Sequence, residues 1–513
     1  MSVGFCRTKR EAAKWSRLHV TTGSRKIQSV SGVYRGPSSG SDGWVCEFQP
    51  YVEELCPALD AEAAFRALSG RSHCLFLDSA LRHAELGRYS FLTAEPSDFL
   101  AIPADGTDGL ARLAERLAEF ASATVPDLPP FQGGAAGLFS YELNRSLERI
   151  PPARYDEFAL PALAVGFYDV VLAWDHRDER AWIISQGFPE READRRQRRA
   201  RERGAEFRRW LGQPRTGRGD RPLQPRNPGR TREAPRFPMP GPTGLVSDFT
   251  AEGYQRAVQR VVDFIGAGDV FQVNLSQRLM FPARDDSVNL YLRLRRRNAA
   301  TFAAYFDLGG YQIASASPER FLAVRSHLVQ TRPIKGTRQR RWGPEADLYA
   351  GEELKQSEKD RAENVMIVDL LRNDLSRVCL PDSVQVTQLC GLERYPYVQH
   401  LVSVVQGQLQ PGAHPVDLLR AAFPGGSITG APKVRAMEII AQIEPTARGA
   451  YCGALGYVGF DQTTDLSILI RTLTAGNGWW QLPVGGGIVY QSDPRREYEE
   501  TWHKANGMIR ALE

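Results

Sequence analysis

Residues 188–242 read FPEREADRRQRRARERGAEFRRWLGQPRTGRGDRPLQPRNPGRTREAPRFPMPGP, and this stretch divides the chain. Its first half suits a charged helix running to Leu211. Its second half, rich in Pro, Gly and Arg, has too little apolar surface to offset the entropy of ordering, and reads as a disordered linker. Four regions are therefore expected: a disordered N-terminal extension over 1–48, a globular region over 49–187, an Arg/Pro-rich linker over 188–246 and a second globular region over 247–513. The extension ends in the low-complexity run SGVYRGPSSGSDG.

The segment also explains the charge. The 513-residue chain has a net charge of +5. Between Glu190 and Arg236 there are sixteen Arg and seven acids, a local balance of +9, which leaves −4 for the rest. The basic balance belongs to one solvated segment and not to a folded binding face, so no nucleic-acid partner is expected. An RNA contact through the segment is the competing reading. No apolar run reaches the length of a membrane span. The N-terminus lacks the apolar core of a secretory signal; rich in Arg, Lys and Ser, it suits a transit peptide or an unstructured start. The seven cysteines form no CxxC pair. That argues against a disulfide framework or a zinc site and fits a reducing, cytoplasmic location.

Within 49–187 the runs 74-CLFLDS-79, 163-LAVGFYDVVLAW-174 and 180-RAWIIS-185 read as strands, and 109-GLARLAERLAEFAS-122 as a helix. Paired glycines in 131-FQGGAAGLFSYEL-143 suggest strands in close backbone approach.

The candidate chemistry lies after Ser247. In 424-PGGSITGAPKVRAMEIIAQIE-444, Gly-rich backbone leads into a helix with Pro432 at its start, which makes an anion site or a plain helix cap. Three glycines, Gly485, Gly486 and Gly487, let the backbone approach a ligand and offer an anion-binding nest. The last helix, capped by Ser492 or Asp493, carries Glu497 and Glu500 on one face. A second helix over 353–374 carries Asp360 and Glu363 at the same spacing. One such pair is an ordinary solvated face. Two pairs on helices with apolar continuations suit a hard cation, and magnesium takes one or two carboxylates and keeps its waters. Arg471 falls in 466-LSILIRTLT-474, an apolar strand, where it meets a protein acid or awaits a ligand carboxylate. Lys504 follows Glu500 by one helical turn and can pair with it. Lys335, in 331-TRPIKGTRQR-340, stands where a strand normally buries Ala, Val or Ile. It either snorkels from the strand end or serves as a nucleophile.

The motifs SPERFL (317–322), PIKGTR (333–338), AENVMIVDLLRNDL (362–375), HLVS (400–403), GGSITGAPKVRAMEII (425–440), YCGALGYVGF (451–460) and DPRREYEETWHKANGM (493–508) together resemble the chorismate-utilising enzymes. That family includes anthranilate, isochorismate, salicylate and aminodeoxychorismate synthases. The resemblance implies an α+β, anthranilate synthase component I-like fold, in which two large β-sheets with flanking helices enclose the active site.

It further implies that Glu363 and Glu500 bind Mg2+, with Asp360 and Glu497 behind them, and that the metal holds the ring carboxylate of chorismate. Arg471, Tyr451 and Gly485–Gly487 would hold carboxylates. Gly336, Thr337 and Ser427 would line the ring, with His400 and Lys504 close by. In relatives with anthranilate or isochorismate activity, the position that resembles Lys335 carries Ala. Lys there marks the aminodeoxychorismate branch. Gln272 stands where isochorismate-type members carry a water-activating Lys. By resemblance, Lys335 attacks ring C2, Glu319 protonates the departing C4 hydroxyl, and ammonia then displaces the lysine. No glutaminase Cys-His-Glu pattern appears, so the resemblance implies ammonia from a separate glutamine amidotransferase subunit or from solution. Anthranilate synthase component I is the alternative. Ser79 and 88-RYSF-91 resemble part of a tryptophan pocket found in some members, with Thr301 in place of the usual Pro.

Overall fold

The apolar run 163–174 carries an acid in its middle, and the chain changes sheets there. Leu163–Tyr168 belongs to a ten-stranded sheet and Val170–Asp175 to a thirteen-stranded one. Both strands are buried along their whole length, which is why the sequence reads as continuously apolar. Asp169, at the crossing, is buried beside Arg199 and Arg203, at 3.9 and 3.7 Å. These relations come from a computed structural model that describes residues 48–82, 86–122, 124–213, 233–340, 343–395 and 398–513. The expected extension lies outside these residues except for Phe48. No helix among them is long and apolar enough to cross a membrane.

The regions on either side of the Arg-rich segment share both sheets, and Glu47–Glu513 form one unit. Leu75–Asp78 of the first region pairs antiparallel with Phe302–Asp307 of the second in the larger sheet. Gly134–Phe139 pairs with Ala454–Gly459 in the smaller one, with Gly137 opposite Gly456. The close approach expected of the 131–143 glycines is this pairing. Apolar side chains of both regions fill the cores between and outside the sheets.

The expectation of a linker across 188–246 is corrected at both of its described ends. Ala193–Gly212 is a helix, capped by the Glu192 side chain, that packs on Tyr51–Glu54 and Arg180–Ser185. Ala200, Gly204, Phe207 and Trp210 are buried and fall on one helical face. The Phe207 and Trp210 rings lie 4.7 Å apart, and Arg71 stacks over Trp210 at 4.0 Å. This stripe is one residue in every three or four within a run of arginines, too thin to outweigh the composition. Further on, Phe237–Pro238 and Val246–Ser247 extend the larger sheet beyond Gln272–Pro282. Residues 214–232 lie outside the described set.

Two other expectations change. The helix expected over 353–374 is two helices, Pro344–Gln356 and Glu358–Ser376, broken at Ser357. The Ser357 hydroxyl accepts from the Asp360 N–H at 3.3 Å and caps the second. The strand expected over 466–474 is also two, Thr464–Ile468 and Thr472–Gly476, one in each sheet.

Because Phe207 is fully buried, Phe207→Ala is expected to cost about 3–5 kcal/mol, the range for deleting a core aromatic side chain. Chemical denaturation measures it. A change below about 1 kcal/mol contradicts a packed helix here.

Candidate functional site

Two neighbouring crossings between the sheets build the centre of the site. Glu319 lies between Gln312–Ser317 of the larger sheet and Arg320–Arg325 of the smaller. Arg471 lies in the crossing between Thr464–Ile468 and Thr472–Gly476, with a left-handed φ of +52°, outside regular strand geometry. The crossings are hydrogen-bonded side by side. The Ile468 N–H donates to the Glu319 carbonyl, and the Ala316 N–H to the Arg471 carbonyl, both at 3.1 Å.

Glu319 is 3% exposed, and burial pushes its carboxyl up to about 7. The Ser427 hydroxyl, which donates to Oε1 at 2.7 Å, and the charges of Lys335 and Arg471 oppose the shift. Burial also lowers the basicity of Arg471, while Glu319 supports its charge. The guanidinium has no hydrogen-bond or ion-pair partner among the described residues.

Lys335 lies in Ile334–Gln339, which pairs antiparallel with Val398–Gln408. Lys335 faces Leu401 and Thr337 faces His400, so the register slips by one residue at Gly336. Gly336 has φ +79°, and a Cβ there would lie 2.8 Å from Leu354 Cδ1 and 3.1 Å from Asp360 Cγ. Only glycine fits. A bulge of this kind re-aims the neighbouring side chain. Lys335 Nζ donates to the Ser427 carbonyl at 3.0 Å and does not snorkel. Beside it, Thr337 Oγ1 and His400 Nδ1 lie 2.8 Å apart. Burial, with Arg471 nearby, holds the His400 imidazole down at about 3, so the ring is neutral at physiological pH.

The acids come from two helices that flank the glycine strand Trp479–Ile488. Ser357 places Asp360 in the first turn and Glu363 in the second turn of Glu358–Ser376, near the positive end of its dipole. Asp493, one of the two expected caps, accepts from the Arg496 N–H at 2.9 Å and starts Pro494–Leu512, which carries Glu497, Glu500 and Lys504. A Cβ on Gly486 would lie 3.3 Å from Lys504 Nζ, 3.5 Å from Glu497 and 3.6 Å from Glu500. A Cβ on Gly487 would lie 2.1 Å from Gln272 Nε2 and 3.6 Å from Glu363 Oε2. Bare backbone here leaves room for Glu497 and Glu500 beside Gly486 and for Glu363 beside Gly487.

Their charges are partly met by protein cations. Lys504 pairs with Glu500 at 2.8 Å, as the helical spacing suggested, and donates to the Gly485 carbonyl at 2.9 Å. Lys359, which the sequence reading passed over, pairs with Glu497 at 3.3 Å, and Arg338 lies 3.6 Å from Asp360. Burial raises the Glu363 carboxyl, whereas Lys504 lowers that of Glu500.

The expected nest at 485–487 is not formed. These glycines are extended and pair with Ser276, Leu275 and Asn274. The neighbouring strand Thr472–Gly476 pairs only as far as Gln481, so their other edge carries no strand among the described residues. Gln272 is buried, and its Oε1 has no hydrogen-bond partner among the described residues. Tyr451 is buried in the same apolar cluster as Ile428. Ser79, Arg88, Tyr89, Phe91 and Thr301 line a separate cavity between the sheets.

A buried acid, a bulged lysine and helix-borne carboxylates in this order along the chain accompany a match over residues 83–510 to the family described as chorismate binding enzyme. The chain belongs to the chorismate-binding enzymes. It is 44% identical to aminodeoxychorismate synthase component 1 of Salmonella typhimurium, over 76% of this chain and 78% of the relative. It is 38% identical to anthranilate synthase component 1 of Streptomyces coelicolor, over 90% and 88%. Among solved structures, anthranilate synthase component I from Streptococcus pneumoniae superposes with a TM-score of 0.68 at 30% identity, covering 82% of this chain and 92% of that one. The α+β fold with two large sheets, expected from the resemblance, is the fold of this chorismate-binding enzyme.

Ser427→Ala removes a hydrogen bond that favours the charged form of Glu319, so the carboxyl midpoint is expected to rise from about 7. A reaction needing the protonated acid loses rate as pH rises through that midpoint. The alkaline limb of the pH–rate profile should therefore move to higher pH in the variant. A limb that stays or moves lower contradicts the assignment.

Proposed function

We propose that this enzyme is the chorismate-aminating component I of an aminodeoxychorismate synthase, forming 4-amino-4-deoxychorismate for para-aminobenzoate and folate biosynthesis. The placement of Lys335 carries the reading. Its amine meets the carbonyl of Ser427 at 3.0 Å, and the hydroxyl of the same residue meets Glu319 at 2.7 Å. A nucleophile and an acid thus flank one residue. The Lys335 nitrogen forms a bond to ring C2, the ring double bonds shift, and the C4–O bond breaks. Glu319, protonated in part at neutral pH, supplies the proton with which the hydroxyl leaves as water. Ammonia then bonds to C4, the double bonds shift back, and the C2–N bond to Lys335 breaks. Two easier substitutions replace one hard one.

Arg471, Tyr451 and the free edge of Gly485–Gly487 hold the substrate carboxylates. Gly336, Thr337 and Ser427 line the ring, with neutral His400 and Lys504 alongside. The acids suit magnesium. No cage of three or more ligands exists among the described residues, but magnesium needs only one or two carboxylates beside waters and substrate. Glu363 and Glu500 would be its ligands, supported by Asp360 and Glu497, and the bound ion would supply positive charge to the ring carboxylate. Ammonia comes from a glutamine amidotransferase partner, a reading supported by the name component 1 carried by the relatives.

Incubation with chorismate, magnesium and ammonium should yield aminodeoxychorismate by mass; anthranilate instead would favour the alternative. Lys335→Ala should cut the rate on the order of 10²-fold, the scale of lost covalent catalysis, with some drift to the C2-aminated product. Wild-type protein given chorismate without ammonia should carry an adduct on the Lys335 peptide. No adduct, together with a wild-type rate in Lys335→Ala, would sink the nucleophile. Glu363→Gln and Glu500→Gln should abolish turnover at ordinary magnesium and weaken magnesium binding by calorimetry, with folding retained. Unchanged binding contradicts the ligand assignment.

A further inference from the structure

Three stretches that bring groups to the site meet at one ion pair outside it. Arg448 and Glu444 are 2.7 Å apart, with side chains 2% and 5% exposed. Arg448 Nη1 donates to the Ile428 carbonyl at 3.1 Å, one residue past Ser427. Its Nη2 donates to the Asn274 carbonyl at 2.6 Å. Glu444 Oε1 accepts from the N–H and hydroxyl of Ser276, at 2.7 and 2.9 Å. Asn274 and Ser276 are the register partners of Gly487 and Gly485. Asn274 also donates its N–H to the Thr429 carbonyl at 2.8 Å, so strand and loop are fastened together. The guanidinium lies 4.6 Å from the Tyr141 ring and 5.9 Å from that of Tyr451. Glu142 fixes the turn beneath, accepting from the N–H groups of Arg448 and Gly449 at 2.9 Å each.

A buried ion pair is weak evidence for stability, because desolvation offsets the attraction. The planar guanidinium fork does supply fixed directions, which a lysine cannot. Here the fork spans acceptors on two segments 174 and 20 residues away in sequence. Ser427 has its carbonyl on Lys335 and its hydroxyl on Glu319, so the fastening of its loop falls one residue later, at Ile428. We infer that Arg448, oriented by Glu444, is the positioning residue that holds Ser427 against Lys335 and Glu319. The inference rests on the roles given above to those two residues. A displacement of about 1 Å at a reacting group costs on the order of 10²-fold in rate.

The test compares Arg448→Lys, Ser427→Ala and the double variant in the ammonium-dependent assay. Arg448→Lys keeps the charge opposite Glu444 but cannot span Ile428, Asn274 and both carboxylate oxygens. Its kcat is expected to fall on the order of 10²-fold while the protein stays folded at the assay temperature. Adding Ser427→Ala should then cost little more, because both changes act through one group. A wild-type kcat in Arg448→Lys, or losses that multiply, overturns the inference. Should Arg448→Lys not fold, the isosteric Glu444→Gln takes its place, with the same non-additivity expected and the same outcomes overturning it. Wild-type protein that makes no aminodeoxychorismate overturns the earlier reading instead.

Discussion

The two adjacent crossings, Ser317 to Arg320 and Ile468 to Thr472, are the constraint on which the site depends. A strand interior points its side chains into one face or the other. A crossing frees a residue from that alternation and can aim it into the space between sheets. Glu319 and Arg471 occupy such positions, and backbone hydrogen bonds between the crossings fix one relative to the other. The third element, the Ile334–Gln339 strand, reaches the same space by a bulge at Gly336. All three departures from regular strand geometry occur where chemistry is proposed.

Burial then determines the electrostatics. A buried carboxyl disfavours its charge and a buried guanidinium likewise, so each leans on the other. Glu319 is raised by burial despite Lys335 and Arg471, and Arg471 is lowered despite Glu319. The cluster of Glu363, Glu497 and Glu500 is compensated by Lys359 and Lys504 on its rim. In the function proposed above, a dicarboxylate substrate with a divalent ion would supply the charges of both signs that these groups lack.

Much of the site was legible because its motifs are short and contiguous. The spacing of Glu497 and Glu500, the pairing of Lys504 with Glu500 and the cap at Asp493 follow from helical geometry. The glycines at 485–487, expected to let the backbone approach a ligand, form a strand rather than a nest, with side chains of Gln272, Glu363, Glu497 and Glu500 close to the bare backbone. Lys359 was missed because a lysine on a charged helix turn looks like any solvated residue. Its partner Glu497 comes from a helix 138 residues away. The helix Ala193–Gly212 was foreseen as a helix but not as a packed one, because its apolar stripe is diluted by arginine.

The sequence alone determined the family resemblance, the helical acid pairs and the residue types of the site, because these depend on local order and short spacing. Only the tertiary structure decided that the two globular regions share both sheets. The same holds for Arg471 in a crossing, Lys335 turned to Ser427, and Arg448 joined to Ile428 and Asn274. Each of these depends on hydrogen bonds between strands, loops and crossings whose partners lie far apart in the chain. No local periodicity records which strand will lie beside which, and the chain settles that only when the sheets close over a common core.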